Sequence, residues 1–411
     1  MENYLNYHYY MDKVFLTMSV IIIITLLIYK IASRFGKPIV VGGIVAGMIL
    51  SSSHIPVKYF DIDSCASLGS IGLVLFMMLL GSQLDFHQFT AKKSNVAITI
   101  ISILVPFICG ALFVPELIHL GFVNSYQQEH IFTFTAFIGL SISMAAFPII
   151  SMFIGHSGLI NSPIGKFAIF CASIDEIVFW CLLTIIMIYF QKNNATHAYH
   201  PTYIILYLLF VFLVVPHLIK LIIEYIKSER AMIGFIISGC FLSATIADFA
   251  NLHPVIGGFL FGIMLPKDNA SIKHIRHGLN DFVNIALLPI YFVKTGIDAN
   301  IHAAFNLKVV YIGLILTLIA LGGKFIGSYI VGKILGYTRD ESILLGSILN
   351  IRGVLEIALL NIGLEIGFIS NQLYSMLIIM TLITTWIATT ASLWIYNRDK
   401  VAPKNSSKKT C

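Results

Sequence analysis

The sequence predicts an all-α polytopic membrane protein of thirteen transmembrane helices, folded as two inverted repeats. Three observations lead there. Of 411 residues, 58% are hydrophobic and 11% charged, against roughly a quarter charged in soluble domains, so water is not the main solvent. Apolar runs long enough to cross a bilayer, or nearly so, recur along the whole chain. A glycine pattern in the second run returns at a constant spacing in the ninth.

The first six runs cover about 12–32, 38–53, 66–84, 94–115, 131–155 and 164–191. A seventh covers about 202–223, and the last six about 231–250, 254–265, 282–298, 306–336, 341–367 and 372–396. Alternate crossings define two sides, which hold 19 and 4 of the Lys and Arg residues. The richer side faces the cytoplasm, so the N-terminus is expected outside and the C-terminus inside a cell membrane. Met1 to Asp12 is polar and slightly acidic, with no cleavable-signal pattern after it, so the first helix is expected to stay. Residues 397–411 form a short basic cytoplasmic tail suited to anionic lipid, with no cytosolic domain expected after it. The six cysteines show no metal-ligand spacing and are expected to pack.

Setting Gly42 on Gly257 also sets Gly43 on Gly258, Gly47 on Gly262, Leu50 on Leu265 and Gly81 on Gly296, all 215 residues apart. Coincidence among glycines at helix contacts is the plain alternative. The two runs are seven crossings apart, so the halves, about 12–191 and 231–396, run through the bilayer in opposite senses. Such inverted repeats are typical of secondary transporters, which hold substrate near the midplane. The run at about 202–223 is the linker. The whole of 1–396 then reads as one transmembrane domain.

The sixth run, FCASIDEIVFWCLL, places Asp175 and Glu176 mid-span, with nothing basic from Phe167 to Phe190. An ionised group near a bilayer centre costs a few kcal/mol at least, so it is by default functional. A single acid locking two helices, with its neighbour turned to a loop, is the structural alternative. Three basic residues fall within spans: Lys294, Lys324 and Arg352. Helix rise places Asp175 roughly 15 Å, Lys324 roughly 18 Å and Arg352 roughly 16 Å above the cytoplasmic ends of their helices. At that depth a salt bridge from Lys324 to Asp175 or Glu176 is the economical solution, and snorkelling to the headgroups is the alternative. Arg352 has Glu356 four residues on, so a purely structural pair is as good an account as ion handling. Lys294 precedes Asp298 by four near a helix end and is expected to snorkel outward.

Two runs carry the marks of interrupted helices, the usual lining of an ion site in such repeats. GLSISMAAFPIISMF contains Pro148, which lacks a donor, and Ser141 and Ser143, which can bond freed carbonyls or an ion. LLGSILNIRGVLEIALLNIG gathers Gly346, Asn350 and Gly353 around Arg352, an odd set for an unbroken lipid-facing helix. A mere proline kink and a close glycine contact remain the alternative.

In order along nearly the whole chain, VVGGIVAGMILSS, IGLVLFMMLLGSQLDF, LSISMAAFPIISMF, ASIDEIVFW, HPVIGGFLFGIMLPKD, LLPIYFVKTGIDANI, GGKFIGSYIVGKILGY and NIRGVLEIALLNIGLEIGFIS resemble the monovalent cation:proton antiporter superfamily. The likeness is to the branch of Kef-type, NapA-like and plant cation/proton exchanger proteins. It implies a thirteen-helix fold, commonly a homodimer, with a dimerisation domain and a mobile core whose two broken helices cross. It sets the paired acids that bind ion and proton on Asp175 and Glu176, the countercharge lysine on Lys324, and the crossing on Ser141 to Pro148 and Asn350 to Gly353. Related antiporters usually carry Asp where this chain has Glu176, so choice between Na+ and K+ does not transfer.

The function expected is secondary antiport of a monovalent cation against protons, with cation and proton competing for Glu176 and Asp175 and Lys324 compensating when the cation is absent. The partners expected are the cation, the proton, the bilayer and a second copy of the chain, with no nucleic acid and no cofactor. An organic-solute carrier of the same fold and a non-transporting sensor paralogue are the alternatives. An enzyme is not expected, because His, Cys or paired Asp are not gathered at depth.

Overall fold

The computed structural model describes residues 2–34, 39–52, 61–83, 93–159, 162–192, 201–250, 252–267, 269–299 and 307–401. From the N-terminus come α1 (Glu2–Arg34), α2 (Ile39–Ser52), α3 (Ile62–Gln83) and α4 (Lys93–His119). A short α5 (Ser125–Glu129), closed by a capping box between Asn124 and Gln127, precedes α6 (Ile131–Ser143) and α7 (Phe147–Ser157). Then follow α8 (Pro163–Lys192), α9 (Pro201–Leu209), α10 (Val215–Tyr225), α11 (Glu229–Phe249), α12 (Pro254–Met264), α13 (Ala270–Phe282) and α14 (Leu288–Asp298). The chain closes with α15 (Leu307–Ile334), α16 (Arg339–Ile348), α17 (Val354–Glu365) and α18 (Asn371–Val401).

The described chain is all-helical and multi-pass. Among the described residues nine helical segments are long and apolar enough to cross a membrane, and two shorter ones, Val41–Ser51 and Pro254–Met264, are apolar as well. Hydropathy misplaces the helix ends. α1 starts at Glu2 instead of near residue 12, and α18 runs to Val401, through the first residues of the expected tail. Once a helix is nucleated, each further residue adds a backbone bond whether or not it is apolar, and hydropathy is blind to that. Residues 402–411 of the expected tail lie outside the described residues.

Two stretches of π-helix, Phe210–Val214 and Val283–Leu287, run straight into α10 and α14. Each lies just ahead of a proline, Pro216 or Pro289, near the start of the next helix. Proline has no N–H and crowds the carbonyl four residues back, so the helix widens by one turn instead of stopping.

The helices form two compact units, one of residues 1–90 and 180–305, the other of 91–179 and 306–411, so each draws on both halves of the sequence. In the first unit the glycine pattern becomes packing. A side chain on Gly47 would strike Val293 of α14, and one on Gly262 would strike Met78 of α3. Likewise Gly81 lies against the Phe259 carbonyl and Gly296 against the Ile44 carbonyl. Partners as well as glycines are 215 residues apart: Met78 with Val293, and Ile44 with Phe259. The contact of α2 with α14 is thus the swapped image of the contact of α12 with α3. Hydrogen as the side chain lets these backbones meet.

In the second unit α15 lies along α4. A Cβ on Gly323 would come 2.9 Å from the Pro106 Cα, and one on Gly327 would come 3.1 Å from the Ile101 carbonyl oxygen. This close seam fixes the height of Lys324, one residue beyond Gly323. Among the described residues, the buried Asp, Glu, Lys and Arg side chains are Asp175, Glu176, Lys324, Arg352 and Glu356, all in this unit.

Candidate functional site

Helix α8 begins with the Ser162 hydroxyl accepting from the Gly165 N–H at 3.0 Å, and it carries Asp175 and Glu176 in its middle. Asp175 is 3% exposed and Glu176 0%. Lys324, also 0% exposed, forms an ion pair with Asp175 Oδ2 and donates to the Ser143 carbonyl at 2.9 Å. Snorkelling is thereby ruled out for this lysine. The Asp175 Oδ1 and both Glu176 oxygens are buried and bond nothing among the described residues. The lysine therefore pairs with one acid of the two.

The Ser143 carbonyl ends α6, which stops at a true interruption. Met144 and Ala146 have extended backbone before α7 resumes at Phe147. Pro148 lies in the first turn of α7, where a backbone N–H has no intrahelical partner, so its missing donor costs little. The break is made by the residues before the proline, so it is more than a proline kink. Ser143 Oγ donates to the Leu140 carbonyl at 3.0 Å, occupying one terminal acceptor, while Ser141 Oγ is buried without a partner among the described residues.

The second interruption separates α16 from α17. Asn350 donates through Nδ2 to the carbonyls of Gly346, at 2.9 Å, and Leu321, at 3.3 Å, which leaves its Oδ1 buried and unbonded among the described residues. Thr385 Oγ1 of α18 stands 3.2 Å from both the N–H and the carbonyl of Arg352, holding the unwound backbone at each face. The two interruptions meet: the Ala146 N–H donates to the Ile351 carbonyl at 2.9 Å. Gly353 lies where a Cβ would strike the Ile149 side chain of α7.

Arg352 sits in this break, ahead of α17, so its partnership with Glu356 spans a helix start instead of a helix interior. Its Nη1 is 3.1 Å from Glu356 Oε2, an ion pair by distance without hydrogen-bond alignment. The same guanidinium reaches the end of α6, where Nη1 donates to the Ser141 carbonyl at 2.7 Å and Nη2 to the Ile142 carbonyl. Three consecutive terminal carbonyls of α6 thus accept from two buried cations, at the negative pole of that helix.

The sequence expectations sort accordingly. Asp175, Lys324 and Ser143 are joined by direct bonds, Arg352 bonds the carbonyl of Ser141 two residues before Ser143, and Asn350 and Gly353 belong to the second interruption. Lys294 lies in the other unit, 2.7 Å from Asp298, with both side chains half-buried. Sequence reasoning gave Glu356 only the role of Arg352's neighbour and passed over Thr385. For Glu356 a signal existed, an acid inside the apolar GVLEIALL. For Thr385, one of many threonines on α18, none did.

A profile of the family described as sodium/hydrogen exchanger, transmembrane, matches residues 20–397. The Na(+)/H(+) antiporter NhaS4 of Synechocystis is 31% identical over 401 residues, covering 92% of this chain and 96% of that protein. The K(+)/H(+) antiporter 1 of Saccharomyces cerevisiae is 26% identical, with 89% of this chain matched to 43% of a longer protein. Among solved structures, the sodium proton antiporter MjNhaP1 of Methanocaldococcus jannaschii superposes with a TM-score of 0.66 at 16% identity, over 94% of this chain and 97% of that one. That last likeness is one of fold.

Proposed function

The chain belongs to the sodium/hydrogen exchanger family, and from that premise we propose that it exchanges a monovalent cation, Na+ or K+, for protons across the cell membrane. The observation that carries the chemistry is Glu176, a fully buried acid that bonds nothing among the described residues, beside an acid that already has its lysine. An isolated carboxylate in a low-dielectric interior is costly. It is relieved by a proton or by a small cation, and the two compete for the same oxygens. Competition couples the fluxes: the site that has released a proton is the site that accepts a cation.

In this reading Glu176 is the principal exchanging acid, and Asp175 lends its second oxygen to the cation. Lys324 balances Asp175 when the site holds no cation. Ser141 Oγ and Asn350 Oδ1, oxygens without partners among the described residues, suit a hard cation stripped of water. The unwound segments expose backbone to such a site while two cations keep the end of α6 satisfied. Alternating access then presents the charge-bearing unit to one side of the membrane and afterwards to the other. Thirteen crossings, N-terminus outside and C-terminus inside, two opposed repeats within 1–396 and a homodimer complete the proposal. The 19-to-4 charge bias supports the orientation.

The test is cation-induced dequenching of a pH-sensitive dye in everted vesicles, comparing sodium, potassium and lithium. The expected result is dequenching by at least one of them, abolished by E176Q and by D175N. Full activity in both variants would reject the assignment. No response to any cation would favour a non-transporting sensor, and solute-driven uptake without a cation requirement would favour an organic-solute carrier.

A further inference from the structure

Glu356 is the buried acid that the exchange reading leaves unused. It is 1% exposed, lies in the first turn of α17, and has Arg352 Nη1 at 3.1 Å as its counter-ion. Arg352 in turn bonds the Ser141 and Ile142 carbonyls, and Lys324 bonds the next carbonyl, Ser143. Consecutive carbonyls of a helix are about 1.5 Å apart along its axis, so the two cations stand within one turn of the same helix end. Lys324 then connects directly to Asp175, and Asp175 is the chain neighbour of Glu176.

The five buried charges can therefore be summed as one group. Lys324 cancels Asp175, Arg352 cancels Glu356, and Glu176 is left as the one uncompensated charge of these five described groups. We propose that Glu356 is a positioning residue for the exchange reaction, which acts through Arg352 to hold the site at one net negative charge and so matches it to one monovalent cation or one proton. Without Glu356, the Arg352 charge would be free to oppose the entering cation. Glu356 needs no contact with the cation for this. At an effective dielectric of about 20, a unit charge some 10 Å away changes a binding constant by on the order of tenfold.

The proposal rests on the exchange reading, and the experiment separates the two. Wild type, E356D, E356Q and the relocated-acid variant E356Q/T381D are compared for cation KM and maximal rate in the dye assay at fixed pH, after folding is checked by size-exclusion profile. Thr381 lies beside Glu356 in this unit. E356D is expected to match the wild type. E356Q is expected to raise the cation KM by about tenfold with the maximal rate held within about twofold, and T381D is expected to restore it. An unchanged KM in E356Q, or no recovery in E356Q/T381D, would overturn the proposal. Should E356Q not fold, the relocated-acid variant decides: wild-type KM supports the charge account, and failure to recover rejects it. If the wild type moves no protons, the exchange reading fails on its own. Equilibrium binding of radiolabelled sodium and rubidium to the purified chain then decides the role of Glu356, and equal binding by E356Q would reject it.

Discussion

Adjacent side chains on a helix point about 100° apart, and at Asp175 and Glu176 this angle divides the labour. One acid faces α15 and takes Lys324, and the other bonds nothing among the described residues. Removing the lysine should be expensive. K324M strands a buried carboxylate, for which roughly 3–5 kcal/mol is typical, and should appear as a large drop in thermal stability in detergent. A K324M protein as stable as the wild type would mean that the pair contributes little. Glu176→Asp keeps the charge and shortens the reach by about one methylene, so it should preserve exchange while changing the order of preference among lithium, sodium and potassium. An unaltered preference would separate selectivity from this side chain. Depth alone anticipated that Lys324 would meet one of the two acids. Which acid it meets was not legible, because helix rotation about its axis is set by packing, here by the glycine seam of α15 on α4.

At the scale of elements, the two interruptions hold each other. Their backbone link from Ala146 to Ile351 is supported by Thr385, which satisfies both the N–H and the carbonyl of Arg352. T385V conserves shape and removes both bonds, leaving buried backbone groups unpaired at about 1–3 kcal/mol each. It should lower thermal stability by that order and slow exchange, and a neutral outcome would show that the unwound segment is held by packing alone. Gly, Asn, Ser and Pro in two apolar runs marked these breaks in the sequence. What composition hid was their construction. Pro148 marks the resumption of the helix and not its failure, and Arg352 serves the partner break more than its own helix. Such links join residues some 200 positions apart, and periodicity carries no trace of them.

For the molecule as a whole, the swapped glycine contacts are the organising relation. The glycines at 47 and 262 occupy equivalent places in swapped contacts, so G47V and G262V should destabilise the protein by similar amounts, about 2–3 kcal/mol from forced overpacking. A large inequality in their thermal stabilities would argue that this equivalence is not kept in the energetics. The constant spacing of 215 residues made this relation readable before any coordinates, because small residues at close backbone contacts tolerate little drift. The partition into two units was not readable, since each is assembled from both halves of the chain and the boundary falls inside α8. Membership of the sodium/hydrogen exchanger family and the buried Glu176, which bonds nothing among the described residues, are the grounds for the proposal that cation and proton exclude one another at this site. Equilibrium binding of radiolabelled cation to the purified protein across a pH series tests that claim most directly. The account predicts one cation bound per chain, displaced as protons are added and lost in E176Q; binding that ignores pH, or that survives in E176Q, would contradict it.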